Sequence, residues 1–127
     1  MPGTPVLIVD DTPLNLKLLS MLLVAKGYDV QTATSAEQAL EILPVFKPRL
    51  LLLDIRLPGM DGLTLARKLR AEREHADLVI IAVTASAMKG DEQEVLAAGC
   101  DAYVAKPIDT RTLPALVADQ LARGRRS

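Results

Sequence analysis

Aromatic side chains are nearly absent: two Tyr, one Phe and no Trp in 127 residues. Platforms that stack nucleic-acid bases need exposed rings, so that class of function is excluded, and Leu and Ala must fill the core. There is one cysteine, Cys100. It cannot close an internal disulfide, and Cys-rich zinc sites are ruled out. There is also one histidine, His75. Any Ser-His-Asp or Cys-His machinery would depend on it, yet it sits in the charged run 70–75 and reads as solvated surface at a helix end. A metal would therefore have to rest on carboxylates and carbonyls, which points to Mg²⁺, Ca²⁺ or Mn²⁺. An excess of one charge is lacking too. Fifteen Lys and Arg against sixteen Asp and Glu leave a net charge of −1, too little to draw DNA, RNA or anionic lipid. The short basic stretch Arg123-Gly124-Arg125-Arg126 reads as a solvated tail. No apolar run approaches the ~18–20 residues that span a bilayer. Met1-Pro2-Gly3-Thr4 lacks a basic leader, and Asp10-Asp11 breaks the apolar run behind it. The expectation is a cytoplasmic protein with no membrane contact and no direct nucleic-acid contact.

Hydrophobic residues make up 50% of the chain and charged ones 24%, the balance of an ordinary globular protein. The length fits one domain, with a core over about 5–122 and a tail over 123–127. Short apolar runs alternate with longer amphipathic segments. Strands are expected at Pro5–Val9, Tyr28–Ala33, Arg49–Leu53, Leu78–Val83 and Ala102–Ala105. Helices are expected at Pro13–Lys26, Ser35–Leu43, Leu63–Arg73, Ala87–Ala98 and Thr110–Arg123. Pro13 suits a first helical turn behind Asp11 or Thr12, and Gly27 suits its end. Ser35 with Gln38 reads as a capping box, and Pro44 as that helix's stop. Pro114 leaves two readings for the last helix, a late start after Thr112 or a kink. Five β–α units, with strands apolar on both faces beside the alternating Tyr28–Ala33, imply an α/β fold. It is a doubly wound, five-stranded parallel sheet of order 2-1-3-4-5 with helices on both faces.

In such a sheet, ligands bind at the carboxyl ends of the strands, where strand order reverses. Asp10 and Asp11 follow the first apolar run, Asp54 the third, Thr84 the fourth and Lys106 the fifth. The second run ends in Gln31-Thr32-Ala33-Thr34 without such a group, and in this order it lies at the edge. Each residue has a plainer reading alone: a helix cap for Asp10-Asp11, a strand end for Thr84, a loop for Lys106-Pro107. Together they form a constellation. Three clustered carboxylates repel one another unless a cation sits among them. A backbone carbonyl just after Asp54 would complete that cation's shell. An ammonium and a hydroxyl suit the oxygens of a phosphoryl group in transfer, which makes Asp54 the nucleophile.

At this point the chain resembles a known family, the receiver domains of bacterial two-component response regulators. The resemblance is carried by Val9-Asp10-Asp11, by Leu53-Asp54-Ile55-Arg56-Leu57-Pro58-Gly59-Met60-Asp61-Gly62, by Val83-Thr84-Ala85 and by Lys106-Pro107. It covers nearly the whole chain as a single receiver domain, 1–127. The segments 82–92 and 99–103 look most similar to DivK-like single-domain regulators and to receivers of hybrid histidine kinases. The resemblance implies that Asp54 accepts the phosphoryl group. It implies that Asp11 binds Mg²⁺ (Mn²⁺ as a substitute) directly, Asp10 mostly through water, and Arg56 through its main-chain carbonyl. Thr84 and Lys106 would read the phosphoryl group, Ala85 would leave room for it, Tyr103 would be the mobile aromatic, and Pro107 would follow a cis bond. Two positions depart from the usual pattern: Arg56 is a long cation where shorter side chains are common, and Ser86 is small where some relatives carry a ring.

The expected function is a phosphorylation switch rather than an enzyme acting on a separate substrate. A sensor histidine kinase or a histidine phosphotransfer domain would dock on the first helix at Asn15, Leu18 and Pro107, with Leu22 read mainly as core. The face of the fourth helix, fifth strand and fifth helix would then address a downstream protein. The chain would be a monomer or weak dimer. An aspartyl-phosphate phosphatase would need an acid two residues after its nucleophile, where Arg56 stands. A flavodoxin-like nucleotide module would want a Gly- or Ser/Thr-rich loop, where Asp10-Asp11-Thr12-Pro13 stands.

Overall fold

Four consecutive leucines lead into Asp54, and the strand they form is buried along its length. A strand sends alternate side chains to opposite faces, so a run apolar at every position demands cover on both sides. The computed structural model describes residues 3–84, 89–106 and 108–124, without the side chains of 89–91. The strands are β1 Pro5–Val9, β2 Asp29–Ala33, β3 Leu50–Asp54, β4 Val79–Thr84 and β5 Ala102–Ala105. The helices are α1 Pro13–Ala25, α2 Ala36–Phe46, α3 Gly62–Arg70, α4 Lys89–Ala97 and α5 Leu113–Arg123. All strands are parallel, in the order β2-β1-β3-β4-β5.

Leu7, Val9, Leu51, Leu53, Ile80 and Ala82 face one way and pack on α2, α3 and α4 through Ala39, Leu43, Leu65, Leu69, Val95 and Ala98. Val6, Ile8, Leu50, Leu52, Val79, Ile81 and Val83 face the other way, against Leu16, Leu19 and Leu23 of α1 and Leu113 and Val117 of α5. Each such Leu or Ile contributes about 1.5–3 kcal/mol on burial. With Cys100 and Ala36 the two layers fill without aromatic bulk. Tyr28 and Phe46 only border them.

Several boundaries differ from the sequence expectation. Pro44 does not stop α2, which runs on to Phe46. A proline in the last turn forfeits one backbone bond there, and the helix closes instead through Lys47, whose N–H donates to Leu43 O at 2.9 Å in a left-handed conformation. Ser35 caps α2 by accepting from Gln38 N at 3.1 Å, but the Gln38 amide oxygen reaches Thr34 N–H rather than Ser35, at 2.6 Å. α3 ends at Arg70, and Arg73–His75 form a separate 3₁₀ turn. His75 is not solvated surface: its side chain is only 15% exposed. β4 includes Thr84. Thr112 stands at the N-cap position of α5 without a side-chain cap bond, which places Pro114 in the first turn and settles the late start over the kink. The residues expected to begin the fourth helix, 87 and 88, lie outside the described residues, as do Ala85, Ser86, Pro107 and Arg125-Arg126. Among the described residues no helix is long and apolar enough to cross a membrane.

Candidate functional site

Register brings the strand ends to one edge of the sheet. Val9 pairs with Leu53, Asp54 with Val83, and Thr84 with Ala105. Asp10 therefore leaves β1 beside Asp54, and its N–H is held by Ala33 O of β2 at 3.1 Å. The Asp10 and Asp54 side chains are almost fully buried, while Asp11 is exposed. Asp54 Oδ1 accepts the Arg56 N–H at 3.0 Å, and Oδ2 accepts the Lys106 ammonium at 3.0 Å. Lys106 is anchored at its backbone, where N donates to Thr84 O at 2.7 Å. Its Nζ stands 4.0 Å from Asp10 Oδ2.

Burial pushes the Asp54 carboxyl above its ordinary value, and the Asp10 charge adds to this. The Arg56 N–H and Lys106 oppose it without cancelling it. One oxygen each from Asp10, Asp11 and Asp54 lies within 4.8 Å of the others. An all-oxygen carboxylate trio with two buried members, of which Asp54 is short of compensating charge, fits a hard divalent cation such as Mg²⁺. Arg56 keeps its side chain exposed and bonds Asp54 through its backbone.

The loop behind Asp54 is held by residues that sequence reasoning had not placed in the site. Gly62 N donates to Ile55 O at 3.0 Å, and a Cβ on Gly62 would come within 2.4 Å of Asp54 O and 2.5 Å of Ile55 Cα. Only glycine lets α3 begin this close to the acceptor. Asp61 caps α3 by accepting from Thr64 N at 2.8 Å. The Thr64 backbone and hydroxyl, together with Arg67, hold the Asp61 carboxyl below its usual value. Glu37 of α2 accepts the Met60 N–H at 3.4 Å across the loop. The turn-rich string Gly59-Met60-Asp61-Gly62 signalled a loop, but nothing local revealed Glu37.

Thr84 is buried and stands one residue beyond Val83, the partner of Asp54. Tyr103 pairs with Ala82 and packs, half-buried, against the α2–α4 layer. Partial desolvation and the Glu92 carboxylate raise its phenol above the usual value. Ala85 and Pro107 lie outside the described residues. Asn15 is half-buried and donates Nδ2 to Asp10 Oδ2 at 3.3 Å. Leu18 is 42% exposed, and Leu14, Met21 and Val24 extend the apolar stripe down α1. Leu22 packs against the core, as expected. Asn15, Leu18, Leu19, Lys106 and Ile108 line a groove of about 480 Å³ beside the carboxylates.

The family model of the response regulator receiver domain matches residues 6–118. The chain is 43% identical over 103 residues to the polar-differentiation response regulator DivK of Brucella ovis, covering 81% of this chain and 84% of that protein. Among solved structures it is similar to a CheY-like response regulator receiver domain protein from Methanospirillum hungatei, with 32% identity, a TM-score of 0.87 and 95% of each chain covered. It is also similar to the receiver domain of the sensor histidine kinase PA1611 from Pseudomonas aeruginosa. That match has 32% identity, a TM-score of 0.86, and 94% and 98% of the two chains covered. The latter structure carries a magnesium ion coordinated in its active site cleft.

Proposed function

The chain belongs to the response regulator receiver domains of two-component signalling, and we propose that it works there as a phosphorylation switch with Asp54 as acceptor. The observation that carries this reading is the paired geometry of Asp54: a buried carboxylate with one oxygen on Lys106 Nζ at 3.0 Å and two further carboxylates beside it. The donor is the phosphohistidine of a sensor kinase or phosphotransfer domain. A P–N bond to imidazole breaks as a P–O bond to an Asp54 oxygen forms, and the leaving imidazole nitrogen takes up a proton. Asp11, Asp54 and the Arg56 main-chain carbonyl would hold Mg²⁺, or Mn²⁺ in its place, with Asp10 mostly through water, and the cation would supply neutralising charge for the transfer.

The acyl phosphate adds charge where Lys106 and Thr84 already stand. Lys106 exchanges its Asp54 oxygen for a phosphoryl oxygen, Thr84 turns toward the new group, for which a small residue such as Ala85 leaves room, and Tyr103 follows. The α4–β5–α5 face then presents a changed surface to a downstream protein. Asn15 and Leu18 line the groove beside the carboxylates, and with Pro107 and the apolar stripe of α1 they are the residues we assign to docking of the donor. Hydrolysis of the acyl phosphate resets the switch, at a rate influenced by Arg56 at the rim. The chain acts as one receiver domain over 1–127, as a monomer or weak dimer.

The test is incubation with Mg²⁺ and acetyl phosphate, a donor that needs no protein docking. An acid-stable, base-labile phosphoprotein in the wild type and none in Asp54→Asn is expected. No modification, or equal modification of the variant, overturns the reading.

A further inference from the structure

Asn15 sits in the first turn of α1, one turn of chain beyond the strand end that carries Asp10. Its half-buried amide turns back to the site, with Nδ2 donating to Asp10 Oδ2 at 3.3 Å. The other oxygen, Oδ1, accepts the Thr12 N–H at 2.9 Å. Two neutral donors, one per oxygen, fix the plane of a carboxylate that is 1% exposed. A cation competes for the same oxygen: Lys106 Nζ stands 4.0 Å from Asp10 Oδ2, while bonded to Asp54 at 3.0 Å. A shift of about 1 Å would let Lys106 bridge both aspartates. A bridging ammonium would occupy the charge that a divalent cation needs.

We propose that Asn15 is a positioning residue for the metal site: it holds Asp10 turned toward Asp11 and Asp54 and keeps it from collapsing onto Lys106. This role rests on the Mg²⁺-dependent switch proposed above and is distinct from partner docking, for which the exposed Leu18 is better placed. Residues that orient a metal's ligands typically change affinity by about 10–100-fold when removed. Asn15→Ala removes the amide, Asn15→Leu removes it at nearly constant volume, and Asn15→His returns an N–H at similar reach.

The experiment is calorimetric titration of Mg²⁺ into the wild type and the three variants. It is paired with the Mg²⁺ concentration giving half the maximal rate of phosphorylation by acetyl phosphate, and with the metal-free melting temperature. Expected are an about tenfold weaker Mg²⁺ affinity in Asn15→Ala and Asn15→Leu, recovery of most of it in Asn15→His, and metal-free melting within a few degrees of wild type in Asn15→Leu. Affinities within twofold of wild type in both Ala and Leu variants, with Asp54 still phosphorylated, overturn the positioning role alone. A wild type that binds no Mg²⁺ and accepts no phosphoryl group overturns the switch and this role with it.

Discussion

Asp54 Oδ2 and Lys106 Nζ lie 3.0 Å apart although 52 positions separate them in the chain. Between them runs β4, so the pair spans from the end of β3 to just beyond β5. The contact ties the candidate acceptor to the strand that carries Tyr103. A group that draws Lys106 off Asp54 acts on β5 directly.

That lysine does not fully compensate the buried carboxylate, and a pH dependence follows. The folded Asp54 carboxyl titrates above its ordinary value of 3.8. Its contribution to stability is therefore full below about 3.8 and is lost as pH rises through the folded value. In metal-free buffer near neutral pH, Asp54→Asn should melt higher than wild type by on the order of a few degrees. The difference should close as pH falls toward 3.8. Thermal melts across pH in chelator check this, and an Asn variant less stable than wild type at neutral pH would contradict it.

Gly62→Ala should cost about 1–3 kcal/mol by forcing α3 away from the acceptor loop. Unlike a surface change it should also slow modification of Asp54 by acetyl phosphate, because the clash is with the Asp54 carbonyl itself. Denaturant unfolding and phosphorylation rate are the two readouts.

Asp61→Ala should cost about 1 kcal/mol through loss of the α3 cap. The Asp61 carboxyl is held below 3.8 in the fold, so its stabilisation is present above that pH and fades as pH falls through the lower folded value. Asp61→Asn keeps the cap and should remove only this acid-side dependence, seen in melts between wild type and the two variants.

Arg70 gathers three elements away from the site. Nε donates to Gly99 O at 2.8 Å, Nη1 to His75 O at 3.0 Å, and Nη2 to Asp101 at 2.8 Å. Asp101 also accepts the Ile80 N–H at 2.9 Å. The two side chains are 11% and 17% exposed, so solvent screens the pair weakly. Arg70→Ala should cost about 3 kcal/mol, and a double-mutant cycle with Asp101→Ala should return a coupling of about 1–3 kcal/mol. Strictly additive losses would show that the pair is not coupled.

Tyr103 should titrate above the ordinary phenol value of 10.0, since desolvation and Glu92 both resist the phenolate. Glu92→Gln removes the charge and should bring the midpoint down without restoring it fully. Ultraviolet titration in a Tyr28→Phe background reads this ring alone, because the chain has only two tyrosines and no tryptophan.

Periodicity and turn residues made most of the fold legible. The five runs became five strands, and the polar residues that follow four of them came to one edge of the sheet, because each of those signals is local. Leu50–Leu53 could only be a strand covered on both faces, and Asp10 next to Asp11 could only end the run before it. Where local rules compete, tertiary packing decided. Pro44 ought to stop a helix, but Ala39 and Leu43 are buried beneath it, so the backbone gives up one bond and turns at Lys47 instead. His75 lies in a charged run, yet the Arg70 clamp draws its turn inward.

Strand order and the gathering of the strand-end residues at one edge were thus written in the chain, since burial on two faces and the silence of the second run leave little choice. Distances were not. That Lys106 meets Asp54 at 3.0 Å but only approaches Asp10 at 4.0 Å depends on the register of four parallel strands. That Asn15 turns inward to Asp10, and that Gly62 admits no Cβ, depends on where two helices dock against the sheet. Side-chain type and spacing act over a few residues, whereas such contacts come from close packing of segments far apart in the chain, so only the folded molecule sets them.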